Sequence, residues 1–304
     1  VTETQIPRES VDVEQLLSVT LSPGRRIRNR LATVWMYVSF VVVAVPLVIV
    51  VGYVVTKGLS VINGAWFTQK IFVLDTKAGG GMAPAIVGTL VITFWASLMA
   101  VPLGVLAAIY LHEYGGQGRL ARLIRFMSDV MTGVPSIIMG LFIFVVFTLP
   151  LGANGLIGFG GSLALACLML PIVIRSSEEM LRLVPDDLRQ ASYALGNRKW
   201  RTIVTVVLPA ALGGMVSGIM LAVARAAGET APLLFTIGAA RRINWNVFHG
   251  PNTALSLQIW NNSQSPYDPA QSRAWGAALT LVLLVFVLTV VARLVSSRFS
   301  LKHE

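Results

Sequence analysis

Charge is what this sequence has little of. Only 12% of its 304 residues are Asp, Glu, Lys or Arg, about half of what a soluble domain carries, and that scarcity excludes an ordinary water-soluble globule. Cysteine is nearly absent: Cys167 stands alone in an apolar stretch, so neither an intrachain disulfide nor a cysteine-based metal site can form. The three histidines, His112, His249 and His303, are scattered, and no His-Glu-x-x-His occurs, which removes the zinc-protease arrangement. No Gly-Lys dipeptide is present, so the chain lacks the phosphate-cradling loop of nucleotide hydrolases, and there is no Gly-x-Ser-x-Gly for a hydrolase nucleophile. Gly158-Phe159-Gly160-Gly161 lies within an apolar run, where small residues serve close helix packing rather than nucleotide binding. The chain reads as a non-enzyme with no metal or cofactor of its own.

Apolar runs are what it has instead. Hydrophobic residues make up 55% of the chain and its mean hydropathy is +0.73. Runs near the ~20 residues needed to cross a bilayer recur throughout, and predict an all-α integral membrane protein with six transmembrane helices. The first run is Leu31–Thr56, and it is too long for a signal-peptide core. The second is Ala85–Leu111. The third reaches Leu149 and is interrupted near its start by Thr132-Gly133-Val134-Pro135-Ser136. The fourth is Leu156–Ile174, the fifth lies within Thr202–Ala240, and the sixth is Ala274–Val295. Residues 1–24 read as a mobile tail, 25–84 as the first helix and an outer loop, 85–297 as the main membrane domain, and 298–304 as a second tail.

The net charge of +10 would suggest nucleic acid in a soluble protein. Here most of the Lys and Arg fall in alternate loops: Arg25, Arg26, Arg28 and Arg30, then Arg119, Arg122 and Arg125, then Arg175 to Arg201, then Arg293, Arg298 and Lys302. The positive-inside rule therefore places both termini in the cytoplasm.

One stretch, Pro185 to Gly238, organises the rest. Pro185 suits a first helical position, with Asp186 and Asp187 complementing the positive helix end. Leu188, Ala191 and Leu195 recur at helical spacing, and Gly196-Asn197 then stops the helix. Arg198, Lys199 and Trp200 open a second short helix running toward Leu208-Pro209. The small residues Ala191 and Ser192 would let a partner's backbone approach. By charge alone this basic elbow suits anionic lipid heads as well as a protein partner.

Gln190-Ala191-Ser192, three residues, Gly196, nine residues, then Val206-Val207-Leu208-Pro209 resembles the EAA–x3–G–x9–I–x–LP signature of ABC importer permeases. Gln190 replaces the usual Glu, Ser192 the second Ala, and Val206 the Ile. Three further strings are similar to those of PstA-type permeases of phosphate-specific ABC importers: Thr132 to Ile137, Glu178 to Pro185, and Ala224-Arg225-Ala226-Ala227-Gly228-Glu229-Thr230-Ala231-Pro232. The resemblance spans roughly residues 84–295. It implies the type I importer (MetI-like) permease fold, in the bacterial cytoplasmic membrane. Residues 186–201 would then be the coupling helix, with Asp187, Gln190, Ala191, Ser192, Gly196, Trp200, Leu208 and Pro209 meeting the ATPase. The implied partners are a PstC-like second permease, two PstB-like ATPase subunits that hold ATP and Mg, and an extracellular PstS-like phosphate-binding protein. Sulfate, molybdate or phosphonate remain alternative cargoes, and a self-contained secondary transporter is the rival of another class.

Arg225 and Glu229 lie four apart in the fifth apolar run, where they can pair. Placing that span at Thr202–Ala224 would leave them at the outer interface; the preferred placement, Met215–Ile237, centres them in the membrane, with Gly228 and Pro232 breaking the helix beside a polar path. A planar guanidinium suits a tetrahedral oxyanion, and Thr230 adds a hydroxyl donor. The alternative is an ion pair that only packs helices. Arg175, at the end of the fourth span, reads as a positive-inside anchor or a second path residue. Arg125 and Asp129, also four apart, are expected to pair with each other.

Overall fold

The computed structural model describes residues 23–72 and 74–299, and every regular element among them is helical. The tail expected over residues 1–24 falls outside them up to residue 22, as do residues 300–304 of the second tail. The chain divides at Tyr53/Val54 into two compact units. Helix α1 is Pro23–Leu59. In the first unit its exposed apolar residues, Trp35, Met36, Val38, Phe40 and Val48 among them, point all round the helix, as suits a helix surrounded by lipid.

The second unit continues with α2 (Ala83–Ile109, prolonged by a π-turn, Tyr110–Gly115), α3 (Arg119–Gly133) and α4 (Ser136–Ile143). Next come α5 (Gly158–Arg182), α6 (Asp186–Ala194) and α7 (Lys199–Thr202). A second π-turn, Ile203–Val207, leads from α7 into α8 (Leu208–Gly228), followed by α9 (Leu233–Thr236), α10 (Leu255–Ser263) and α11 (Asp268–Phe299). Among the described residues, five helices are long and apolar enough to cross a membrane, and the bent pair of α3 with the segment Ser136–Gly152, which begins with α4, makes a sixth candidate.

The third span is not a straight helix with a local break. At Val134-Pro135 the chain turns through 106°. Val134 is extended (φ −73°, ψ 127°), the conformation that a following proline imposes. Helix α3 is consequently a separate amphipathic segment, with Ala121 and Ser128 buried and Leu120, Leu123, Phe126 and Val130 exposed.

Small residues set the core. α2 packs on α5 where Gly104 lies so close that a Cβ there would come within 2.6 Å of Val173. α5 packs on α8 where Gly214 and Gly218 make room for Met180 and Ser176. Such close approach is how helices gain contact in lipid, where burial of apolar surface drives nothing. Ile92, Leu165, Met169, Val173, Ala222 and Leu233 form the main cluster between them.

The fifth span also differs from its expected bounds. The helical run is Lys199–Gly228, not Met215–Ile237, so Arg225 and Glu229 stand at its end and not at its centre. Glu229 is already extended, and Pro232 takes the cap position before the four-residue α9. Pro232 cannot donate the bond to residue 228 that a continuing helix needs. At the other end, the π-turn 203–207 precedes Pro209 and absorbs its missing donor without interrupting the helix.

Candidate functional site

Residues 186–202 fold into the expected elbow. Pro185 takes the cap position, one residue before the helix, with ψ 140°. α6 ends in a Schellman turn: Asn197 N donates to Ser192 O at 3.2 Å and Gly196 N to Tyr193 O at 2.9 Å, with Gly196 at φ +81°. That positive φ is the conformation glycine alone adopts without strain. Ser192 closes the angle from inside, its Oγ 2.9 Å from Thr202 Oγ1. It is buried and unavailable to a partner, unlike its neighbours.

The two faces of α6 are inverted relative to a soluble amphipathic helix. Its buried residues are the polar Arg189 and Ser192. Its apolar stripe is outside: Leu188 is 41% and Leu195 83% exposed, and Ala191 and Gln190 share that surface with Trp200, at 59%. Asp187 is also exposed, whereas Leu208 and Pro209 are half-buried at the root of α8. Exposed apolar side chains on a short helix outside the apolar spans form a surface that lacks its cover.

Arg189, which the sequence reading passed over, holds this elbow in place. Its guanidinium donates to Glu113 Oε1 at 3.1 Å, to Asp186 Oδ1 at 3.0 Å, and to the main-chain oxygens of Leu181 and Val184 at 3.0 and 2.7 Å. Lys199 bonds the main-chain oxygen of Glu113 and lies 4.8 Å from the centre of the Tyr114 ring. The signal was available: Glu113 adjoins an apolar span in a chain with only 14 acidic residues, and a buried carboxylate requires a cation.

The second constellation lies on α5 and α8. Arg225 Nε donates to Glu229 Oε1 at 3.3 Å, as the spacing predicts. The arginine side chain is 64% exposed and the carboxylate 18%. Leu168 and Ile172 of α5 line a shallow crevice with Ala222, Arg225 and Glu229. Arg175 lies one turn beyond Ile172 on α5 and is also exposed, but it is not among the residues that line the crevice. Thr230 follows Glu229 in the turn, its main-chain oxygen accepting from Leu233 and Leu234 at 3.1 and 3.2 Å, and is not among the residues that line the crevice. Ser256 anchors the turn by donating to Glu229 O at 3.0 Å.

Arg125 and Asp129 do not pair with each other. Arg125 bonds Glu178 of α5, and Asp129 bonds Arg175. Being four apart on α3, both face α5, and the interhelical partners are the nearer ones. Arg175 is therefore held by a carboxylate and is not a bare anchor.

The chain as a whole is similar to known proteins. A "Phosphate transport system permease protein PstA 1" of Mycobacterium tuberculosis is 44% identical over 294 residues, covering 96% of each chain. A "Phosphate transport system permease protein PstA" of Mycobacterium leprae is 46% identical over 267 residues, 87% of each chain. Among solved structures, an inward facing conformation of a methionine ABC transporter superposes with a TM-score of 0.55 at 18% identity, over 72% of this chain and 94% of that one, and so shares the fold. Residues 100–301 match the family described as binding-protein-dependent transport system inner membrane component, and the chain belongs to that family of multi-pass membrane permeases.

Proposed function

We propose that this chain is the membrane subunit of an ATP-driven importer that carries inorganic phosphate into the cell. The observation that carries the reading is the inverted elbow, with Arg189 and Ser192 bonded inward and Leu188, Ala191, Leu195 and Trp200 exposed. A self-contained transporter has no use for such a surface, whereas a permease driven from outside needs one for its motor. The motor would be a pair of ATPase subunits that hold ATP and Mg, and the elbow would lie in the cytoplasm together with both chain termini. Relatives named for phosphate transport support the cargo. So does the chemistry of Arg225, an exposed guanidinium held through Nε by Glu229 that keeps further N–H groups for an oxyanion; Arg175, held by Asp129, would be a second path residue. The crevice beside Arg225 is open on one chain, so a second permease subunit would close the path, and an extracellular binding protein would deliver the ion.

The test is reconstitution in liposomes. The purified chain alone should hydrolyse no ATP above background, and phosphate uptake should require the second permease, the ATPase and the binding protein together. Competition with sulfate, molybdate and phosphonate should leave phosphate uptake intact. Uptake by the single chain without ATP would overturn the reading.

A further inference from the structure

Three separate helical elements meet on one guanidinium, and one of them lies 76 residues away in sequence. Arg189 belongs to α6. Its Nε and Nη2 reach Glu113 Oε1, at 3.3 and 3.1 Å, in the π-turn that prolongs α2. Nη2 also lies 3.1 Å from His112 Nε2. From the other side Nη2 bonds Leu181 O in the last turn of α5, and Nη1 bonds Val184 O in the connection that follows it. The Arg189 side chain is 10% exposed and Glu113 5%. A buried charge of this kind is held by its full set of partners or it does not stay buried.

We infer that Arg189 is a positioning residue that locks the elbow to the ends of α2 and α5, so that a push on α6 moves both spans as one body. The inference rests on the proposed importer function. Without this lock the elbow would keep its shape, because the Schellman turn and the Ser192–Thr202 bond do not involve Arg189. It would instead be free to pivot about the short connection between α5 and α6, residues 183–185. Force would then reach the membrane along the backbone through α7 into α8, and through the single Lys199 bond to Glu113 O. The lock supplies the direct route into α2 and α5, which pack against each other through Gly104. Lys199 strengthens it by bonding Glu113 O from the start of α7, so both arms of the elbow grip the same turn of α2.

The experiment uses the complete reconstituted complex, and measures ATP hydrolysed and phosphate imported in the same vesicles. Two variants remove the lock without adding bulk. Glu113→Gln keeps the shape and loses the charge; Arg189→Lys keeps the charge and loses the fork. The wild-type complex is the control that separates this inference from the functional reading beneath it: if wild type imports no phosphate, the reading fails first. With wild type active, each variant should assemble and retain ATP hydrolysis while phosphate imported per ATP falls about fivefold or more, the lower end of an ordinary allosteric coupling. Parallel loss of hydrolysis and import would show a merely structural role and overturn the inference, as would an unchanged ratio. Should Arg189→Lys fail to assemble, Glu113→Gln decides alone; should both fail, the role is structural and the inference falls.

Discussion

Arg125 reaches across to Glu178 on the neighbouring helix, with Nη2 and Nε 2.9 and 3.0 Å from Oε1, and leaves Asp129, one turn along its own helix, to Arg175. The amphipathic α3 is therefore tied to α5 by two ion pairs of opposite polarity. The two differ in burial: Glu178 is 8% exposed at its side chain, whereas Arg175 and Asp129 are each about half exposed. Arg125 also bonds Leu111 O and Gly116 O at 2.9 and 3.1 Å. Arg125→Ala should thus cost about 1–3 kcal/mol by leaving Glu178 unpaired, and Asp129→Ala only ~0–1 kcal/mol. Thermal melting of the purified complex should show that order. A double-mutant cycle should find coupling between positions 125 and 178 and none between 125 and 129; coupling within α3 would contradict the structure.

Gly196 offers a test of the elbow free of steric complication. A Cβ there would meet nothing within 4 Å, yet φ is +81°. Substitution should therefore cost only backbone strain, about 1–2 kcal/mol for most residues and less for Asn, which tolerates this region. Gly196→Asn should keep ATPase binding, whereas Gly196→Asp, which adds a charge to the exposed surface, should leave the chain inserted and lose the ATPase. Co-purification of the ATPase subunit with each variant reads the result. Equal binding by both would remove the elbow from the docking surface.

Gly140 is the opposite case. An added Cβ would lie 2.5 Å from Pro232 Cα and 3.0 Å from Pro232 O, and a backbone cannot step aside as a side chain tip can. Gly140→Ala should push on the turn that carries Glu229 and Thr230, costing about 1–3 kcal/mol as overpacking does, and should depress phosphate uptake. Gly133→Ala, with nothing within 4 Å of the new atom, is the control and should change neither. Melting temperature and uptake measured on both variants test this.

Much of this was legible in the sequence, for reasons that also mark where it was not. The elbow was legible because each of its parts is local: a proline before the helix, Gly196 after it, an apolar stripe between. The Arg225–Glu229 pair was legible because the partners share one helix face. Arg125 and Asp129 show the same spacing and do not pair, since spacing reports what can meet within a helix and not what a second helix brings closer. Arg189 was missed for that reason, its partners lying 76 and 77 residues away at Glu113 and His112. The bounds of the fifth span were missed because hydropathy runs on through Gly228 to Ala240, while the helix stops where Pro232 withholds a donor. Backbone chemistry overrode the apolar pattern there.

That stop shapes the last prediction. Arg225 lies in the final turn of α8 and is 64% exposed, 3.3 Å from a carboxylate that is 18% exposed. An ion pair with one partner so exposed contributes only ~0–1 kcal/mol to stability, so a purely structural role predicts mild effects from any single change. A role in the path predicts a different order. Arg225→Lys keeps the charge but loses the fork, and should impair uptake in a normally assembled complex. Arg225→Gln removes the charge-assisted bonds altogether and should lower uptake by about ten- to a hundredfold. Glu229→Gln removes a partner and not the ligand, and should do less harm than either. The double change Arg225→Gln with Glu229→Gln separates the two roles, because it leaves no unpaired charge. Full uptake by that variant would reduce the pair to helix packing. Assembly and a normal melting temperature with no uptake would mean that phosphate itself requires the Arg225 guanidinium.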